Sequence, residues 1–253
     1  MNEERLLVAG RAARDAGKTI LPLWRDENLT VTTKTSVTDL VSEADFAAQS
    51  ICQQVLSEAF PDDGLISEEG LDVQSRSGFT WAIDPLDGTT NFVHGIGHWA
   101  VVISGWENGQ AVMGAVCDPV RGELFCCAQG QPLTRNGEQV PVRDARPLEA
   151  SVWATGFTAP PGRSRRASFA DAVLTRVGHV RSMGSLGLDL AWTACGRFDA
   201  FMYECSLRPW VHGAGMVMCE RQGMRMMELP ATDRFAAALA VVPGSWTDLV
   251  TGT

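Results

Sequence analysis

The stretch Trp81-Ala82-Ile83-Asp84-Pro85-Leu86-Asp87-Gly88-Thr89-Thr90-Asn91-Phe92 constrains this chain more than any other part of it. Its first three residues read as a buried strand that runs directly into two acids flanking Pro85-Leu86. Carboxylates at the end of an apolar strand are costly to dehydrate unless something cationic meets them. The proline fixes a bend, so Asp84, Asp87 and the Leu86 carbonyl converge instead of alternating to opposite faces. Gly88, Thr89 and Thr90 then present N–H groups and hydroxyls, which suit a phosphate. The pattern predicts divalent cations gripping a phosphate ester at the end of this strand.

Two further acid clusters lie just upstream. Asp39 and Asp45 flank Glu43 in Thr38-Asp39-Leu40-Val41-Ser42-Glu43-Ala44-Asp45, with Lys34 ahead of them, and Glu68-Glu69 follow the short apolar run Gly64-Leu65-Ile66-Ser67. Taken singly, each has a plain structural explanation: Ser42 with Asp45 resembles a helix capping box, and a pair of glutamates after a strand is a solvated turn. Taken with Asp84 and Asp87 they form an all-oxygen ligand set without histidine or cysteine, which favours Mg2+ over zinc. Two metals bridged by shared carboxylates would clamp the phosphate while one activates a water. His94, His98 and His179 share no spacing with the acids and are expected to be structural. Arg163, Arg165 and Arg166 read as a solvated basic patch ahead of a helix.

With 253 residues the chain can bury a sizeable core. A net charge of −9 argues against nucleic acid as the main partner, but not against a small phosphorylated substrate, because metals supply positive charge locally. The N-terminus lacks the basic start and apolar run of a signal peptide, and no stretch has the apolar length to cross a bilayer. Seven cysteines without a repeated Cys-x-x-Cys spacing fit reduced thiols. The expectation is a soluble, cytoplasmic protein with no membrane partner. Periodicity predicts helices over 3–25, 42–60, 164–177 and 185–196, and another from Trp210. The first half reads as two helices against a mostly antiparallel sheet, with Cys126-Cys127 in one of its strands. The second half alternates helix and strand and closes with one last strand and a short helix.

The chain resembles the inositol monophosphatase family of Mg2+-dependent, lithium-sensitive phosphatases. The stretch from Asp84 to Gly95 matches the family's first signature, Gly64–Gly70 its glutamate motif, Lys34–Asp45 its lysine–aspartate segment, and 180–201 its Arg-x-x-Gly-Ser segment. The resemblance runs from about residue 5 to the C-terminus. It implies an α/β, αβαβα sandwich of alternating helix and sheet layers. One domain would span 1–253, with a metal-binding half over about 1–145 and a substrate-side half over about 146–253. It also implies a homodimer. By position, Glu68, Asp84 and the Leu86 carbonyl would hold the first Mg2+, and Asp84 with Asp87 the second. Glu68 and Thr89 would orient the attacking water, Thr89 with help from Asp39. Gly88, Thr89 and Thr90 would cradle the phosphate, Glu204 would read a substrate hydroxyl, and Gly184 and Ser185 would line the same pocket.

One departure matters. The family's second signature, Trp-Asp-x-Ala-Ala/Gly-Gly, supplies an aspartate to the second metal, and here Trp210 is followed by Val211. Rescue by His212 is disfavoured, because the next side chain leaves a helix about 100° away. The resemblance therefore implies a phosphomonoesterase for a small polyol or sugar phosphate such as myo-inositol monophosphate, weakened or respecialised at Val211. The alternative is a catalytically silent phosphatase-fold protein that binds a phosphorylated small molecule or a protein partner. A nucleotide bisphosphatase is disfavoured by the short chain and the few basic residues near the acids.

Overall fold

The computed structural model describes residues 2–34, 40–157, 175–204, 208–229 and 238–247. Helix α1 (Asn2–Ile20) buries a stripe of Ala9, Ala12, Ala13, Ala16 and Ile20, and its first-turn Glu3 and Glu4 and last-turn Lys18 match the helix dipole. Strands β1 (Val31–Thr33) and β2 (Leu40–Ser42) form an antiparallel pair. The chain then enters α2 (Glu43–Ala59), where the Ser42 N–H and hydroxyl both donate to Asp45 Oδ2 at 2.8 Å.

Next come β3 (Gly64–Ser67), β4 (Asp72–Val73), β5 (Phe79–Asp87), the single-turn helix α3 (Thr89–Val93) and β6 (Ala100–Glu107). They are followed by β7 (Gln110–Asp118), β8 (Glu123–Ala128), β9 (Thr134–Arg135) and β10 (Glu138–Gln139). The strands join in one sheet in the order β10-β9-β8-β7-β6-β5-β3-β4, antiparallel except where β3 meets β5. Period-two alternation divides its faces. Val101, Ile103, Met113, Ala115 and Cys117 join the core beneath α1 and α2, while Ala100, Val102 and Val116 join a second core on the opposite face. A sheet buried on both sides needs apolar residues on both, hence the unbroken run Ala100-Val101-Val102-Ile103.

The remaining elements are β11 (Val152–Phe157), β12 (His179–Arg181), α4 (Leu186–Ala194), β13 (Ala200–Glu204), α5 (Pro209–Arg221), β14 (Met224–Leu229) and β15 (Ala238–Pro243). A second sheet runs β12-β11-β13-β15-β14, with β11 parallel to both neighbours and the other pairs antiparallel. Helices α4 and α5 lie between the sheets, and Leu188, Leu190, Ala214 and Met218 fill the second core together with Phe201 and Val241. A Cβ on Gly114 of β7 would sit 2.4 Å from the Ala214 Cα, and one on Gly215 would sit 2.3 Å from the Leu190 Cβ. The small residues at the start of α5 therefore serve close packing.

The layers alternate helix, sheet, helix, sheet, in agreement with the α/β sandwich expected from the sequence. The helix expected over 164–177, and Arg163, Arg165 and Arg166 with it, lies outside the described residues. The chain closes with two strands where one was expected, because β14 (Met-Arg-Met-Met-Glu-Leu) lacks both alternation and β-branched residues. Among the described residues no helix is long and apolar enough to cross a membrane.

Candidate active site

Strand β5 ends in a bulge. Asp84 pairs with Val102 and Asp87 with Ala100, so Pro85 and Leu86 together face Val101 alone. The extra residue restores the phase of the pleat, and both acids come to lie on the face of Val102 and Ala100, towards α4. Leu86 turns to the opposite core. The convergence expected from Pro85 is therefore achieved by a register shift in the sheet.

The two acids meet different surroundings. Asp87 is buried at the N-terminus of α4, where Oδ2 accepts from Ser185 Oγ at 2.6 Å, from Gly187 N at 2.7 Å and from Leu188 N at 3.3 Å. Its Oδ1 accepts from Leu186 N at 3.0 Å. Burial raises the Asp87 pKa while these donors lower it. Asp84, 3 % exposed, accepts from Leu86 N at 3.2 Å. Its pKa is pushed well above the usual carboxylate range by burial, then by the charges of Glu68, Asp87 and Asp45, against a lowering by Lys34. Acids from β3's end, α2 and β5 thus act on one another across the top of the sheet.

Backbone bonding brings Glu68 there: its N–H donates to the Ile83 carbonyl at 3.1 Å, beside β5. Lys34 Nζ donates to Glu68 Oε1 at 3.0 Å and also to Glu69 Oε1. Burial works against the Lys34 charge, yet its contacts with Glu69 and Glu68 prevail and raise its pKa. The hydroxyl of Thr89 faces Asp45 Oδ1 at 3.1 Å and the Leu86 carbonyl at 3.0 Å. Asp45 thus holds two elements, serving α2 through Oδ2 and Thr89 through Oδ1. The resemblance implies that Asp39 supports Thr89, and Asp39 lies outside the described residues; the sequence places Asp45 either in the acid cluster or at the cap of α2, not as the partner of Thr89. Nothing in the local spacing accounts for its second oxygen.

Gly88 (φ 94°) and Gly184 (φ 85°) both occupy the left-handed region open to glycine, and a Cβ on Gly88 would lie 3.2 Å from Ser185 Cβ and 3.3 Å from the Gly184 carbonyl. Gly88, Gly184 and Ser185 are therefore neighbours around Asp87. Thr90 is exposed beside them. Asn91 Nδ2 fastens this corner by donating to the carbonyls of His98 at 2.6 Å and Met183 at 2.7 Å. Glu204 ends β13, and its side chain lies outside the described residues. His98, expected to be structural, is buried with Nε2 2.9 Å from Asp189 Oδ1, a pairing no sequence spacing suggests. Val211 packs with the second core, and His212 is buried edge-on against Trp106 at 6.2 Å, so neither replaces the missing acid.

Among the described residues no three His, Cys, Asp or Glu side chains are gathered closely enough to hold a metal ion as they stand. The donor chemistry nonetheless fits a hard cation. Burial and then the charges of Glu68, Asp87 and Asp45 raise the Asp84 pKa, and a divalent ion bound there would offset both. A cavity of about 160 Å³ at the far end of α4, lined by Arg143, Arg146, Thr193 and Asp199, contains none of these acids. Carboxylate placement, not cavity size, locates the site.

The layer order and the acids at the end of β5 define an α/β sandwich of the inositol monophosphatase type. A profile of the inositol monophosphatase family matches residues 1–249, and the chain belongs to that family. A protein of Xylella fastidiosa named Nus factor SuhB is 34% identical over 237 residues, covering 92% of this chain and 85% of that protein. The crystal structure of extragenic suppressor protein suhB from Bartonella henselae superposes with a TM-score of 0.89 at 32% identity, covering 97% of this chain and 96% of that one. An IMPase from Thermotoga maritima superposes with a TM-score of 0.84 at 27% identity, covering 98% and 96%.

Proposed function

We propose that this chain is a Mg2+-dependent phosphomonoesterase acting on a small polyol or sugar phosphate such as myo-inositol monophosphate. The observation that carries the reading is the bulge that sets buried Asp84 and Asp87 on one face at the end of β5, with Glu68 bonded through its N–H to the Ile83 carbonyl beside them and Thr89 bonded to Asp45. Glu68, Asp84 and the Leu86 carbonyl would hold a Mg2+ ion. Bound there, the ion would offset phosphate charge and supply a more acidic water. The Thr89 hydroxyl, held by Asp45, and the Glu68 carboxylate would orient that water for in-line attack. Gly88, Thr89 and Thr90 begin α3, where N–H groups lack partners within the helix and would receive phosphate oxygens. Gly184 and Ser185 would line the substrate side, and Glu204 would accept from a substrate hydroxyl. Because Asp87 of the first half is bonded to Ser185 and α4 of the second, residues 1–253 would work as one domain. A homodimer is the assembly that the family implies.

Val211 supports a second reading, a phosphatase-fold protein without turnover that binds a phosphorylated small molecule or a protein partner. The Xylella relative carries the name Nus factor SuhB, which speaks of a factor. Phosphate release from inositol 1-phosphate, with and without Mg2+, separates the two. The proposal expects Mg2+-dependent release by the natural chain and a rise in Val211→Asp. A natural chain inert across a panel of phosphate esters, beside an active Val211→Asp, would establish the second reading.

A further inference from the structure

We propose that the cavity between the end of α1 and the β7–β8 turn binds a small organic dianion, held at its charged head by Arg14 and Lys18 and along its body by an apolar wall. The inference does not rest on the phosphatase reading. The cavity measures about 390 Å³, within the range of small-molecule sites. Arg14 and Lys18 line it together with Leu21, Cys117 and Pro119. Cys117 belongs to the core beneath α1, whereas Asp84 and Asp87 lie on the face of Val102 and Ala100, so the sheet separates the two sites.

The two cations are not used elsewhere. They stand four residues apart on one exposed face of α1, a spacing at which like charges destabilise a helix slightly. Among the described residues neither forms a hydrogen bond or an ion pair, and Asp15 forms none with Lys18. The neighbouring carboxylates are already taken. Asp118 is buried and accepts from Arg121 Nη1 at 2.9 Å. Glu123 accepts from Arg197 at 2.7 and 2.6 Å and lies 3.7 Å from Arg135. Two positive charges are thus left over at one concavity of a chain whose net charge is −9. Their field reaches its floor: burial, then Asp118, pushes the Cys117 thiol up to about 12 while Arg14 and Lys18 act to lower it. The thiol stays neutral, as an apolar wall requires.

The walls are held in place by the fold. Gly17 lets α1 lie against the turn, since a Cβ there would sit 2.6 Å from Pro119 Cγ. Asn136 ties the far side, its Oδ1 accepting from Leu124 N at 2.8 Å and its Nδ2 donating to the Gly122 carbonyl at 3.1 Å. A site built in advance spares the ligand the ordering of the protein around it. Leu21, Cys117 and Pro119 suit a hydrocarbon body, and two cations on one helix face suit a head with two charges, phosphoryl or dicarboxylate.

The test titrates phenylphosphonate and phthalate into the full chain in EDTA, so that the acids at the end of β5 hold no cation and repel an anion. Expected is saturable binding of at least one of them, with amide NMR shifts centred on residues 14–21 and 117–123. A preference for the phosphonate would make the head phosphoryl; equal binding would make charge alone the selector. Both cations are exposed, which weakens each contact, so Arg14→Gln and Lys18→Gln should each lower affinity about threefold and together about tenfold. Glutamine preserves the helix. Binding of neither anion below about 10 mM, equal affinity in the double variant, or shifts confined to residues 68 and 84–90 would overturn the inference. If the double variant does not fold, the wild-type shifts decide. The phosphatase reading stands or falls separately, on Mg2+-dependent phosphate release.

Discussion

Replacing Asp45 by Asn tests whether Thr89 is more than a structural hydroxyl. In the native chain Asp45 accepts two bonds from Ser42 on Oδ2, both 2.8 Å, and one from Thr89 on Oδ1 at 3.1 Å. The amide keeps a single acceptor oxygen. Serving Ser42 with it preserves the start of α2 but turns an NH2 group towards Thr89, whose proton is left to the Leu86 carbonyl at 3.0 Å. Two charge-assisted bonds become neutral, a loss partly offset because burial already disfavours the Asp45 charge. The net cost in stability is about 1 kcal/mol. Turnover should fall far more, by roughly 100-fold or greater, since a hydroxyl with its proton directed elsewhere no longer aligns the water. Urea unfolding gives the first quantity. Mg2+-dependent phosphate release, in wild type or in the Val211→Asp background, gives the second. Unchanged turnover in a folded Asp45→Asn chain would refute the reasoning. So would a stability loss above about 3 kcal/mol, which would make Asp45 a structural residue first.

Asp63→Ala should cost roughly 3–5 kcal/mol in urea unfolding, because it strands Arg5, Ser77 Oγ and the Trp81 indole N–H, all of which donate to this buried carboxylate. Burial raises the Asp189 carboxyl from 3.8 to about 6 despite its contact with His98, so the native chain keeps a proton there that the unfolded chain releases. That contribution to stability is complete below about pH 4 and is lost as the pH rises through about 6. Asp189→Asn should flatten the melting temperature across this window. Gly114→Ala places a methyl 2.4 Å from the Ala214 backbone and should lower stability by roughly 1–3 kcal/mol. A melting temperature equal to wild type would show that α5 can move off the sheet.

Local patterns alone located α1, α2 and the strands from β5 to β8, because a helical stripe, a two-residue alternation and a turn residue each act over a few positions. They also marked the acids, since a carboxylate beside an apolar strand is conspicuous wherever it points. Two local signals failed: β14 has no strand alternation, and the Ser42–Asp45 cap explained only one oxygen of Asp45. What the acids do was decided by tertiary structure. Asp87 meets Ser185, Asp189 meets His98, Thr89 meets Asp45, and Lys34 meets Glu68. These partners are brought together by the bulge in β5, the seat of α4 between the sheets and the arrival of β3 beside β5. A side chain's type can be read from the sequence, but its donors and counter-charges come from whichever elements the packed core sets beside it.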